Sequence, residues 1–244
     1  MERYKCLSGN VLKWIGIFTM FIDHFGAVLV NKLIMVTMNP IWLKLYWPCR
    51  YIGRIAFPIF CFTLVEGFVH TKNRGRYLGR MCLFALISEV PFDLSIRGKW
   101  FSMDVTNVMA TFALGLLLLW SIQQLLEPVK GKGVNRSSVL RALLAIVDIG
   151  AAMWLAEFLN MDYGAVGILS IVLFYLNREK RILAAIFGCG AILLLGRVEL
   201  PGLLAILPIL LYNGTRGRQS KYFFYAFYPG HLLLFGLLAM YVLV

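Results

Sequence analysis

A histidine with an aspartate beside it sits in the middle of an apolar stretch long enough to cross a bilayer, LKWIGIFTMFIDHFGAVL at residues 12–29. A charged side chain at bilayer depth costs roughly 2.5–3.5 kcal/mol on insertion scales, so Asp23 and His24 must face protein or water and mark a functional site. On a helix, Lys13, Gly16, Met20, His24 and Asn31 share one face, whereas Asp23 points about 100° away. Asp23 therefore cannot orient the imidazole, and that task falls to another helix.

Three further stretches carry groups suited to proton transfer. In YIGRIAFPIFCFTLVEGFVH (51–70) Arg54 lies one turn from Arg50, and Pro58 should kink the helix and free a carbonyl, as suits a cavity wall. Glu66 and His70 share a face at the far end of that stretch. In LFALISEVPFDL (83–94) Glu89 and Asp93 stand four residues apart with Pro91 between them. Glu89 is expected near the midplane, paired with Arg54, beside His24, or both. In KYFFYAFYPGHLLLFG (221–236) Tyr225, Tyr228 and His231 fall on one side, next to a Pro229-Gly230 pair expected to break the helix. Thr106, Asn107 and Thr111 read as helix caps or as hydrogen bonds between helices. Blander readings stay open: His24 satisfied by a carbonyl, Arg54 snorkelling outward, Glu89 in a structural ion pair, Asp93 capping a turn, His70 at an interface.

The elements that must position these groups are membrane helices. The chain has 244 residues, 60% hydrophobic and 15% charged, against about 45–50% and about 25% in an average soluble domain. Apolar runs at 11–35, 46–70, 77–96, 105–126, 138–159 and 222–244 have spanning length. Shorter ones at 163–177, 182–196 and 199–213 are marginal, and 182–213 reads as two short spans or a re-entrant hairpin. The expectation is an all-α polytopic protein with nine transmembrane helices, or seven if the hairpin does not cross. Placing the amino terminus in the cytoplasm puts seventeen of the 24 basic residues inside, from Arg3, Lys5 and Lys13 through Lys132 to Arg216, Arg218 and Lys221. That satisfies the positive-inside rule and leaves the carboxyl terminus outside.

The net charge of +12 follows from that rule, and no aromatic-interleaved basic patch suggests nucleic acid. Five cysteines without CxxC spacing read as small buried apolar residues. The first ten residues lack the pattern of a cleaved signal peptide, so the first span is expected to stay as an anchor. There is no GxSxG elbow, HExxH, P-loop or dinucleotide fingerprint, and the three histidines lack ligand-like spacing, so no metal is expected. No internal repeat of the kind common in secondary transporters is visible.

With FIDHFGAVL (21–29), GRIAFPIFCFTLVEGFVHTKNRGRYL (53–78), LISEVPFDL (86–94), NVMATF (107–112), YGAVGIL (163–169), LYNGTRG (211–217) and KYFFYAFYPGHL (221–232) in view, the chain resembles the TraX family. These are polytopic bacterial membrane proteins named for the enzyme that acetylates the amino terminus of conjugative pilin. The resemblance implies one transmembrane acyltransferase domain over 1–244 in the bacterial inner membrane. It would use cytoplasmic acetyl-CoA and an acceptor peptide, glycan or lipid. Many members of a broader set of transmembrane acyltransferases carry Arg, ten residues and His on their first core helix. Lys13 and His24 reproduce the spacing with Lys in place of Arg, which cannot make the bidentate phosphate contact.

On this reading His24 is the general base, and Glu89, with Asp93, sets its tautomer or pKa. Arg54 stabilises the thioester oxygen or holds the site carboxylates. His231, Asp23, Asn107 and Tyr228 line the cavity, while Lys13, Glu66 and His70 serve the CoA end. The alternatives are a proton-coupled transporter with a midplane His/Glu/Arg relay, and an assembly protein without chemistry.

Overall fold

A computed structural model describes residues 5–102, 104–131, 135–218 and 221–243. Arg3 and Lys132 of the charge tally lie outside them. Helix α1 (Gly9–His24) passes through a π-helical turn (Phe25–Val30) into α2 (Asn31–Thr37). A short 3-10 turn leads to α3 (Leu43–Gly53) and α4 (Ala56–His70), followed by α5 (Arg74–Arg97), α6 (Val108–Leu126), α7 (Arg136–Phe158) and α8 (Gly164–Leu176). Next come α9 (Arg181–Ala191), two 3-10 segments meeting at Gly196, α10 (Ile206–Leu210) and α11 (Lys221–Tyr241). The described residues are all-helical, and each of the nine apolar stretches falls on one helical rod.

Five rods have the length and composition to cross a membrane: Gly9–Thr37, Pro40–His70, Val108–Val129, Arg136–Phe158 and Tyr222–Tyr241. This is a membrane protein. The 181–210 segment is an antiparallel hairpin turning at Gly196, whose φ of 127° suits glycine.

Local sequence explains the rod ends. Ser8, Asn73, Asn107 and Asn135 each accept a backbone N–H from the first turn of α1, α5, α6 and α7, satisfying donors that helix starts leave orphaned. Gly98, with φ of 66°, closes α5. The break between α3 and α4 falls at Arg54-Ile55, four residues ahead of Pro58, where the proline ring cannot accommodate a continuing helical carbonyl. The kink expected from Pro58 is therefore present. Pro229 does not act alike: α11 runs unbroken through it, so the expected interruption beside His231 is absent.

Lipid tails are as apolar as leucine, so these rods are held by close packing rather than by exclusion from water. Along α1 the contacts rest on small residues. A Cβ on Gly26 would strike Cys49, one on Gly53 would overlap the Asp23 side chain, and one on Gly16 would press the Phe60 ring at 3.0 Å. These close approaches bring α1 against α3 and α4 and place Asp23 and His24 inside the bundle.

Candidate active site

His24 ends α1, and the π turn begins at the next residue. The wider turn re-aims the side chains around it, a device frequent at functional sites. The His24 Nδ1 lies 2.7 Å from Nε2 of His231 on α11, and the rings stack with centroids 5.0 Å apart. His231 Nδ1 is 2.6 Å from the Phe227 carbonyl oxygen. That carbonyl can only accept, so His231 carries its proton on Nδ1 and offers Nε2 as an acceptor. His24 then donates from Nδ1, and its own Nε2 is left with a lone pair. A backbone carbonyl thus fixes both tautomers through one buried histidine, and His231 supplies the orienting group that Asp23 could not.

His24 lines a cavity of about 810 Å³, within the range of about 300–1,000 Å³ usual for ligand sites. Its wall runs along nearly all of the first rod, from Gly9 and Lys13 past His24 to Asn31. At about 1.5 Å per residue, that is roughly the thickness of a bilayer core. Tyr228 belongs to the same wall, its ring centroid 6.1 Å from that of His24.

Asp23 turns away from His24 into an ion network. Arg50 Nη1 donates to Asp23 Oδ2 at 2.7 Å, Arg54 Nη2 stands 3.6 Å from Oδ1, and Arg54 Nη1 donates to Glu199 Oε1 at 2.9 Å. The Arg54 Nε also donates to the Arg50 carbonyl at 3.2 Å. Asp162, from the turn before α8, reaches the same cavity wall. The expected pairing of Arg54 with Glu89 is thus replaced by pairing with Glu199 and Asp23.

Glu89 is placed elsewhere. Its Oε2 accepts from the Asn107 backbone N–H at 3.3 Å and from the Asn107 side-chain amide, which also donates to the Ala85 carbonyl at 2.8 Å. The carboxylate therefore ties the start of α6 to α5 and stands outside the cavity wall. Asp93 is fully buried, with Oδ2 accepting from the Ser102 N–H at 2.7 Å, which is the turn-capping reading. Of the expected cavity-lining residues, Asp23 and Tyr228 line it, whereas Asp93, Asn107 and His231 stand behind its wall. Thr111 of α6 and Thr106 just ahead of it donate to the Asp162 and Leu159 carbonyls at 2.6 and 3.0 Å, tying the start of α6 to the turn between α7 and α8.

At the end where α1 begins, the wall includes Lys13, Glu66, His70, Lys72, Arg80 and Arg216. Residues 211–216 lie along the start of α1: the Leu7 N–H donates to the Leu211 carbonyl at 3.0 Å, and Asn10 N–H to Arg216 at 3.0 Å. This brings Arg216 towards Lys13, whose ammonium sits 5.5 Å above the Phe224 ring. His70 and Glu66 lie 3.8 Å apart, as their spacing suggested. The cluster offers positive charge to an anion. Among the described residues, no group of His, Cys, Asp and Glu side chains is arranged to hold a metal.

Arg50, Glu199, Asp162 and Tyr163 belong to the site without having been singled out from the sequence. Arg50 carried a signal, one turn from Arg54. Tyr163 stacks on Phe57 with centroids 3.6 Å apart from the turn ahead of α8, where its own φ is 62°. Glu199 opens the marginal apolar run at 199–213.

The model of the TraX protein family matches residues 8–239. Over 258 aligned positions, covering 96% of each chain, the protein is 30% identical to a Dichelobacter nodosus protein described as "Probable fimbrial assembly protein FimC, serogroup H1". No solved structure matches. With a family match that spans nearly every rod and a relative aligned over almost its whole length, the chain belongs to the TraX family.

Proposed function

We propose that this pilus-related membrane protein is an acyltransferase that moves an acetyl group from acetyl-CoA to an amine or hydroxyl acceptor. The observation that carries the reading is the His24–His231–Phe227 chain, which leaves Nε2 as the basic nitrogen of a side chain lining a cavity with a cationic end. The fimbrial assembly relative favours a pilus subunit or other secreted peptide as acceptor. The amino terminus lies in the cytoplasm, the nine rods each cross or enter the inner membrane, and the Lys13–Arg216 end receives the CoA phosphates.

The acceptor N–H or O–H gives its proton to His24 Nε2 while the acceptor atom bonds to the thioester carbonyl carbon. The positive charge on His24 is spread through Nδ1–H to His231 and on to the Phe227 carbonyl. Tyr228, on the same cavity wall as His24, donates from its hydroxyl to the developing oxyanion. The C–S bond then breaks, and the CoA thiolate takes the proton back from His24. Arg50 and Arg54 are committed to Asp23 and Glu199, so they hold the charged wall rather than the reacting oxygen.

The test is purified protein with radiolabelled acetyl-CoA and synthetic peptides bearing a free amino terminus. Label transfer that disappears in His24→Ala supports the reading. No thioester consumption with any acceptor, together with proton-coupled flux in liposomes, overturns it in favour of a transporter.

A further inference from the structure

Beside the cationic end of the large cavity lies a second, smaller cleft of about 440 Å³, lined by Arg74, Trp120, Gln123, Gln124, Glu127 and Pro128. It forms where α5 starts and α6 ends, and a Cβ on Gly75 would stand 3.9 Å from Trp120 Cη2. Lys72 lines the large cavity and Arg74 the small one, with Asn73, the cap of α5, between them. Two residues of chain span at most about 7 Å, so the two sites adjoin.

The chemistry of this lining differs from that of the cationic end. Arg74 and Glu127 bring one charge of each sign, so the cleft has no net charge to offer a phosphate. It presents instead an indole and two primary amides. An indole offers a stacking face to a nucleobase, and a glutamine amide sets a donor beside an acceptor, the pair that meets N6 and N7 of adenine. Two polar atoms of the lining residues, Arg74 Nε and Gln123 Oε1, are buried with no hydrogen-bond partner among the described residues. Buried polar groups are as a rule hydrogen-bonded, so an unpaired donor and an unpaired acceptor at one cleft point to a ligand that carries both. The Arg74 guanidinium is steadied by the Phe68 ring, whose centroid lies 5.2 Å away. Building on the acyltransferase reading above, we infer that this cleft receives the adenine ring of CoA. The base stacks on Trp120 and is read by Gln123, the phosphates lie at the cationic end that includes Lys72, and the pantetheine arm carries the thioester into the large cavity.

The experiment uses the full-length protein in proteoliposomes with two donors, acetyl-CoA and S-acetyl-4′-phosphopantetheine, which has the thioester arm without the nucleotide. The acceptor probe is a synthetic peptide with a free amino terminus, and binding of labelled CoA is measured separately, with adenosine 3′,5′-bisphosphate as competitor. Loss of one base–aromatic stack is worth about five- to a hundredfold in affinity. In Trp120→Ala the Kd for CoA should therefore rise about tenfold, and the preference for acetyl-CoA over the truncated donor in kcat/KM should fall by the same factor. Trp120→Phe, which keeps a stacking face, should recover most of both, and Gln123→Leu gives a second reading, about tenfold, should Trp120→Ala fail to fold. Loss that is equal for the two donors, or no loss with either, overturns the adenine site and leaves the acyltransferase reading standing. No consumption of either thioester by the unaltered protein overturns the acyltransferase reading. Labelled CoA then decides the adenine site by itself: Trp120-dependent binding displaced by adenosine 3′,5′-bisphosphate upholds it, and binding without those two properties, or none, overturns it.

Discussion

The His24 and His231 rings illustrate how two neutral histidines can do what one histidine and a carboxylate do elsewhere. A carboxylate at this depth would bring a charge needing its own compensation, whereas a carbonyl on the same helix as His231 fixes the tautomer without one. Removing a positioned general base costs typically 10²–10⁴-fold, so His24→Ala should lower acyl transfer by that much. His231→Phe keeps the ring packing among Phe21, Phe227 and Phe235 but frees the His24 tautomer. Its expected loss is smaller, about 10–100-fold in kcat with KM little changed, and initial-rate kinetics separates the two. Arg54 sits with Glu199 and Asp23 in a buried network, so Arg54→Ala strands the Glu199 carboxylate, while Asp23 keeps Arg50, and should cost about 3–5 kcal/mol of stability. Thermal unfolding in detergent reads it, and Arg54→Lys should restore it only in part, since Lys lacks the fork that serves both partners.

At the scale of elements, Glu89 and Asn107 show a polar pair inside a membrane helix serving assembly. Asn107→Ala removes the cap of α6 and its tie to Ala85, an expected loss of about 0.5–2 kcal/mol. Glu89→Gln keeps a group that can accept from the Asn107 N–H and should lose no more than a few-fold in transfer rate, in contrast to His24→Ala. Much of this level was legible in the sequence: the rods, the Pro58 break and the paired short runs within 182–213 follow from apolar length and from proline and glycine. The partners were not. Helical periodicity tells which face of a rod Glu89 or Arg54 occupies, but not which other rod meets it. Arg54 finds Glu199, 145 residues away, across a contact that no local spacing encodes. The unbroken α11 is a second case. A proline removes one hydrogen bond from a membrane helix, and neighbouring groups can offset the loss without a bend.

Across the whole molecule, the cavity runs from a cationic end towards Asn31 and Arg97 at the other. Two measurements follow. Affinity for CoA thioesters should fall with ionic strength, and Arg216→Ala should raise KM about tenfold with kcat little changed, the size expected for loss of a contact to a charged group. Orientation can be read from a native reporter. Cys6 is exposed next to that end, whereas Cys49, Cys61 and Cys189 are buried. In a Cys82→Ser background a membrane-impermeant maleimide should label intact cells only after the inner membrane is opened. Labelling of intact spheroplasts would invert the proposed topology.

The π turn after His24 has a consequence for how this helix tolerates insertions and deletions. There the Asn31 N–H reaches back five residues to the Gly26 carbonyl, so the segment from Phe25 to Val30 stores one residue more than regular winding would use. Deleting a single residue within it, such as Ala27, would let the coil close on four-residue spacing with every hydrogen bond kept, so the helix itself should survive. Phase should survive as well, because the residue removed is the one that the wide turn absorbed. The same deletion in the regular winding of α1, such as Ile17, would instead turn the part carrying Lys13 by about 100° against the part carrying His24. Deleting Ala27 is therefore expected to yield a folded protein with Lys13, His24 and Asn31 still on one face, whereas deleting Ile17 should separate Lys13 from His24.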